Sequence, residues 1–255
     1  MAKYKRTVRG GRLVASVLYT RPEAGDSERV RAAKSRATTK ARAALNLKQT
    51  RQNLEFTMAE NFRPSDLFIT LTFDKAHNPK DRKEVIAAFR KFIRALRKHR
   101  RARGEDVKYI YTVEGKHGDK RLHIHLVLNA TAEDDLEVIK SLWVYGEQVD
   151  IDTIGEYGTE STGYAARSRY MTKERQDGNL PVGAKSWTGS RNLKKPKVEH
   201  GFVNDNEQLL PPVGCYVLER REETNEFGSF FYIKYLLPEP RKRSRRKGKR
   251  KHGKE

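Results

Sequence analysis

The stretch LHIHLV, residues 122–127, decides the fold, because it alternates as a strand does while placing two histidines inside an apolar run. Residues two apart on a strand face the same side, so His123 and His125 are expected to point the same way. A single strand histidine is usually a packed or surface residue, but a buried pair needs polar partners. Imidazole is a common metal ligand. The stretch therefore predicts a strand that carries half of a metal site.

The segments around this strand predict the order β-α-β-β-α-β followed by a helix. The predicted strands cover 67–73, 107–114, 121–129 and 148–154, and the predicted helices cover 81–103, 131 to about 145, and 159–174. This order is the split βαβ, or ferredoxin-like, pattern of an α+β protein, an antiparallel sheet with helices on one face. The other face is expected to be free to hold a ligand.

The chain outside this unit is strongly basic. Residues 27–61 lack Pro and Gly and predict one or two basic helices, while 214–221 and 227–236 predict two further strands. The expected division is a basic helical N-terminal extension (1–62), an endonuclease-like domain (63–176), a C-terminal extension with a β-hairpin (177–238) and a disordered basic tail (239–255).

The net charge indicates the partner. The chain carries 54 Lys and Arg against 33 Asp and Glu, a formal charge of +21, which favours nucleic acid as a polyanionic partner. A membrane is not expected, because no stretch approaches a transmembrane length. Cys215 is the single cysteine, so no disulfide framework or cysteine zinc knuckle is expected. A cytoplasmic, DNA-associated location fits this composition.

A third metal ligand is predicted on the neighbouring strand. A six-residue turn after Glu114 would set this carboxylate opposite Arg121, one to two residues from His123. Two histidines and a carboxylate with open positions suit Mg²⁺ or Mn²⁺, and zinc remains an alternative.

The segment YMTK, residues 170–173, supplies a candidate nucleophile. Tyr170 and Lys173 are neighbours on a helix face. A tyrosine with a pKa near ~10 is a poor nucleophile unless a positive charge from Lys173 or Arg167 assists it. Tyr164 would lie about 120° from Tyr170 around the helix, so we expect a single nucleophile. Alone, this spacing equally fits an amphipathic helix with Tyr170 on its core side.

Three ordered motifs resemble those of HUH endonucleases, in which U is an apolar residue: FITLTF at 68–73, HIH at 123–125 and YMTK at 170–173. Among these enzymes, the chain is most similar to rolling-circle replication initiators of small phages and plasmids. Residues 61–62 before the first motif and 187–196 after the third also look like that group, so the resemblance covers roughly 60–200.

The resemblance implies an RRM-like HUH fold with a catalytic helix, and nicking of single-stranded origin DNA through a 5′-phosphotyrosine intermediate, followed by strand joining. It implies a metal, Mg²⁺ or Mn²⁺, held by Glu114, His123 and His125, with Tyr170 as nucleophile and Lys173 as its helper. The expected DNA contacts are Thr70, Thr72, Arg167, Trp187 and Arg191. A single tyrosine departs from initiators that use two, which leaves the termination chemistry open. A host helicase is expected, because no Walker loop is present.

Two other functions fit the same residues. A tyrosine transposase or plasmid relaxase would share the site and differ only in its DNA substrate. A non-catalytic RRM-like protein would use Tyr109 and Tyr111 as stacking platforms for single-stranded nucleic acid and would need no metal.

Overall fold

The structure of the protein is a computed structural model. It describes residues 2–21, 39–115, 121–131, 135–157, 163–178, 180, 184–225 and 228–239. Its strands are β1 Ala2–Gly10, β2 Leu13–Arg21, β3 Leu67–Thr72, β4 Tyr109–Glu114, β5 His123–Leu128, β6 Val149–Thr153, β7 Thr188–Gly189, β8 Lys197–Val203, β9 Tyr216–Asn225 and β10 Gly228–Leu236. Its helices are α1 Thr39–Asn61, α2 Arg82–Arg101, α3 Asp135–Leu142, α4 Gly163–Met171 and α5 Lys173–Gln176.

The first sheet has the order β6-β3-β5-β4-β7, and all its pairs are antiparallel. The chain runs β3-α2-β4-β5-α3-β6 before α4, so the predicted α+β class and its βαββαβ order are confirmed. Helix α2 begins where the Asp81 side chain accepts hydrogen bonds from two first-turn amides. Its apolar stripe packs with α3 against one face of this sheet.

The other face of the first sheet is covered, contrary to the prediction that it is free. Leu54 and Phe56 of α1 and Tyr164 of α4 lie in one buried cluster with Phe68 and Val127 of the sheet. The pattern of α1 did not reveal this, because its apolar positions are sparse before its second half. Polar groups on this face therefore stay accessible mainly at the end where β4 finishes and β5 starts.

The second sheet has the order β8-β1-β2-β10-β9, so the N-terminal strands lie between the C-terminal strands. The prediction of a helical N-terminal extension is wrong for 2–21, which form a hairpin, and only 39–61 are described as helix. The signal was the two-residue connection Gly11-Arg12, with Gly11 at φ 55°, between segments that alternate apolar and polar residues. The predicted C-terminal hairpin is present as β9 and β10.

Several predictions fall outside the described residues. These are the helical pattern of 27–38, the turn at 116–120 and almost all of the tail, 240–255. The division into four domains stays a prediction. Across the ranges that the structure does describe, no helix is both long enough and apolar enough to cross a membrane.

Candidate active site

Strand register brings the polar residues of the first sheet together. Glu114 pairs directly with His123, not with Arg121 as predicted. The six-residue turn was too short, because β5 begins only at His123 and the chain turns at Gly115 with φ 107°. On the other side of β5, Thr70 of β3 pairs with His125. Directly opposed residues share a face, so all these side chains lie on the face that α4 covers.

Glu114, His123 and His125 form a tight cluster. The Nε2 atom of His125 lies 3.0 Å from Glu114 Oε2 and 3.0 Å from His123 Nε2, and His123 Nε2 lies 3.8 Å from the same carboxylate oxygen. Glu114 and His125 are buried, and His123 is half-buried. The sequence prediction of these three ligand positions thus agrees with a cluster in which all ligand atoms lie within 4.8 Å of one another.

The outer nitrogen of each imidazole is occupied by a partner. His123 Nδ1 donates to the carbonyl oxygen of Arg121 at 2.9 Å, and His125 Nδ1 lies 3.2 Å from Thr70 Oγ1. With both Nδ1 atoms protonated, two Nε2 lone pairs and a carboxylate oxygen face one another. Such an arrangement is unfavourable unless a cation or proton lies between them, and outer hydrogen bonds of this kind are typical of metal-binding histidines. This donor set fits a divalent metal ion.

The charge states of the cluster suit metal binding. The hydrogen bond from His125 lowers the pKa of Glu114 despite its burial, with further help from the charges of both histidines and Lys173. Burial lowers the pKa of His125, so its neutral form is favoured. A carboxylate and a neutral imidazole are the forms that coordinate metals.

Tyr170 lies beside this cluster. Its ring is 4.6 Å from the His125 ring and 6.1 Å from the Phe68 ring, both edge to face. The side chain is 43% exposed, so a substrate phosphate has access to it. Burial and the charge of Glu114 raise the pKa of Tyr170, while Lys173 and Arg167 oppose this rise. The phenol is therefore neutral and needs activation to act as a nucleophile.

Tyr164 has a structural position. It is 1% exposed, donates to the carbonyl oxygen of Phe62 at 2.8 Å and stacks on Tyr157. Burial is the main cause of the strongly raised pKa of Tyr164. The predicted angular separation of Tyr164 from Tyr170 agrees with this arrangement, in which only Tyr170 meets the cluster.

The predicted continuous helix over 159–174 is interrupted at Thr172, which ends α4 and precedes the short α5. The Thr172 hydroxyl donates to the backbone oxygens of Ser168 and Arg169, a side-chain bond that competes with helix continuation. Lys173 still reaches the cluster, with its Nζ 3.8 Å from Glu114 Oε1.

Sequence reasoning missed two residues that fix α5 against β4. Glu174 is buried; it accepts from the amide of Gly115 at 3.2 Å and from Arg82 at 2.8 Å. Arg82 also donates to the carbonyl oxygen of Val113 at 2.7 Å. This clamp joins the segment after Tyr170 to the residues on either side of Glu114. No local pattern reveals it, since Arg82 and Glu174 are far apart in the sequence.

The five predicted DNA contacts lie in different settings. Thr70 is bonded to His125, and Thr72 donates to the carbonyl oxygen of Gln148. Arg167 lies over the Phe68 ring at 4.2 Å and pairs with Asp152 at 2.5 Å. Trp187 packs half-buried beside β7, and Arg191 is exposed just after that strand. The structure thus brings Thr70 and Arg167 close to the cluster and its neighbours.

The fold and the site define an α+β unit that carries a candidate metal centre next to an accessible tyrosine. Residues 66–175 match the model of a family described as replication-associated proteins of the ORF2 type. The match begins one residue before β3 and ends within α5, so it contains the cluster, Tyr170 and Lys173. The predicted resemblance to replication initiators is confirmed at the level of this family. No curated protein and no solved structure matches the chain.

Proposed function

We propose that this protein is a metal-dependent HUH-type endonuclease and strand transferase that initiates rolling-circle replication. It nicks single-stranded origin DNA in a sequence-specific manner and then joins strands. The observation that carries this proposal is the contact between the Tyr170 ring and His125 within the Glu114, His123 and His125 cluster. The match to a replication-associated family supports the cellular role.

In the proposed mechanism, Glu114, His123 and His125 hold a divalent ion, Mg²⁺ or Mn²⁺. When bound, this ion supplies Lewis-acid stabilisation of the negative charge that develops on the scissile phosphate. The Tyr170 oxygen attacks phosphorus while the bond to the 3′ oxygen breaks, and the phenolic proton leaves to solvent. The products are a 5′-phosphotyrosine and a 3′ oxygen that takes up a proton. Lys173 places its positive charge beside the reacting phosphate.

Strand joining is the reverse reaction. A 3′ hydroxyl attacks the phosphotyrosine, restores the phosphodiester bond and releases the Tyr170 phenol. This step needs no external energy, because the covalent link conserves the energy of the broken bond. Unwinding of the duplex is assigned to a host helicase.

The test is a denaturing gel on labelled single-stranded DNA from the protein's own replicon, with Mn²⁺ or with a chelator. We expect a metal-dependent covalent band that is absent for Tyr170→Phe, although that variant still binds DNA. Tyr164→Phe is the matched control: it loses the bond to Phe62 and some stability but should keep the band. An adduct that persists in Tyr170→Phe would refute the assignment of the nucleophile.

The alternatives differ in their predictions. Cleavage of transposon ends or transfer origins in place of a replication origin would favour a transposase or relaxase. The non-catalytic RRM-like function has less support, because Tyr109 and Tyr111 pack against Phe89 of α2, with ring centroids 5.5 Å and 4.2 Å away. These two tyrosines face the helical layer, where they do not form an open stacking platform.

A further inference from the structure

The second sheet carries a row of aromatic side chains across four adjacent strands. Phe202 of β8 pairs with Tyr4 of β1, Tyr4 pairs with Tyr19 of β2, and Tyr19 pairs with Phe230 of β10. Directly opposed residues share a face, so the four rings lie on one side of the sheet. Three strand spacings give the row a length of about 14 Å.

The rings form a contiguous surface. The Tyr4 ring centroid lies 5.2 Å from that of Phe202 and 5.5 Å from that of Tyr19. Phe202 is 67% exposed, and the other three rings are half-buried. The row is not part of the core, because the residues of this face that pack on α1, such as Val8 and Ala15, lie four positions further along the strands.

The surroundings of the row are basic. The next row on the same face contains His200, Arg6 and Arg221, in strands that pair with one another through Val17 and Tyr232. The N-terminal hairpin has six basic and no acidic residues: Lys3, Lys5, Arg6, Arg9, Arg12 and Arg21. A positive surface beside exposed rings is complementary to a phosphate backbone with unstacked bases.

We infer that the aromatic row Phe202–Tyr4–Tyr19–Phe230 is a second DNA site, which holds single-stranded DNA by base stacking outside the nicking centre. This inference rests on the proposed function, since a nicked origin supplies the single strand. The row is long enough for about two or three stacked bases, the number held by a four-stranded RRM sheet. Binding there is independent of sequence, because every base has a π face.

The experiment measures fluorescence anisotropy of labelled 20-nucleotide oligothymidine with the full chain in the presence of a chelator. We expect Phe202→Ala to weaken binding by about tenfold. Phe202→Leu should weaken it to a similar extent, because leucine keeps the apolar contact but not the ring. Tyr216→Ala is the matched control, an aromatic residue of β9 with 69% exposure, and should bind as the unmodified chain does.

An abasic strand of the same length separates stacking from charge. The unmodified chain and Phe202→Ala should bind this strand equally, because it has phosphates but no bases. Equal binding of oligothymidine by both proteins, or an equal loss on the abasic strand, would overturn the inference. So would a concentration-dependent dimer, seen by sedimentation, that Phe202→Ala abolishes without changing DNA binding.

The failure of this inference is distinguishable from failure of the proposed function. The binding measurement uses a chelator and requires no cleavage, so its result does not depend on Tyr170. A loss of stacking in Phe202→Ala without any covalent band on origin DNA would refute the nickase and leave the aromatic site in place. A normal band with no effect of Phe202→Ala on binding would do the reverse.

Discussion

His125 is the residue on which the candidate centre depends, because it contacts each of its other parts. Its Nε2 atom meets Glu114 and His123, its ring meets Tyr170, and its Nδ1 atom lies 3.2 Å from Thr70 Oγ1. The tautomer of a histidine is fixed by the hydrogen bond at its other nitrogen. Thr70 therefore keeps the Nε2 lone pair of His125 directed at the metal position.

We predict that Thr70→Val weakens binding of Mn²⁺, because valine has the shape of threonine but cannot accept the Nδ1 proton. Loss of such an outer partner typically costs about 10–100-fold in metal affinity. Isothermal titration calorimetry measures the effect. Thr153→Val, at an exposed position of the same sheet, is the control and should leave the affinity unchanged. Equal affinities for the unmodified chain and Thr70→Val would mean that the hydroxyl does not orient His125.

Among the elements, α5 has a role out of proportion to its four residues. Through Glu174 it holds Arg82 and the amide of Gly115, and so it fixes the position of Lys173 relative to Glu114. Placement of reacting groups within about 1 Å changes rates by up to about 100-fold. The clamp is thus expected to act on the rate of the reaction as well as on stability.

The element-scale prediction concerns Glu174→Gln, which keeps the shape of the side chain and removes its charge. We expect the single-turnover rate of adduct formation to fall about tenfold, because α5 is held less firmly against β4. Glu105→Gln, in a partly exposed pair with Arg103, is the control and should leave the rate unchanged. A variant that melts earlier but reacts at the normal rate would show that Glu174 is only structural.

The sequence predicted elements where the signal is local. Alternation in 122–127 and the apolar stripe of α2 depend on neighbours within a few residues, and both were correct. The pairing of Glu114 with His123 was not predictable, because it depends on where β5 starts after the turn. The clamp between Arg82 and Glu174 joins residues that only the tertiary fold brings together.

At the scale of the whole molecule, the first 62 residues hold the two sheets together. Strands β1 and β2 lie inside the second sheet, while α1 packs against the first sheet and α4. The sequence suggested an appended basic helix, because charge obscured the alternation of β1. The N-terminal segment is instead expected to be necessary for stability, since it connects both cores.

A buried ion pair crosses this connection and provides the last prediction. Lys234 of β10 lies 3.1 Å from Glu55 of α1 and 3.8 Å from Glu219 of β9, and both Lys234 and Glu55 are buried. Lys234→Met removes this cation from both carboxylates, and breaking a buried pair typically costs about 3–5 kcal/mol of the free energy of unfolding. Urea denaturation followed by circular dichroism measures the loss.

Two further variants make this prediction specific. Lys197→Met removes a lysine from an exposed pair with Glu199 on the same sheet and should change the unfolding free energy little. Adding Glu55→Gln to Lys234→Met should restore part of the stability, because the buried side chain that lost the lysine is then neutral. If Lys234→Met is no more destabilising than Lys197→Met, the ion pair does not hold α1 to the second sheet. The packing of Leu54 and Phe56 would then carry that connection alone.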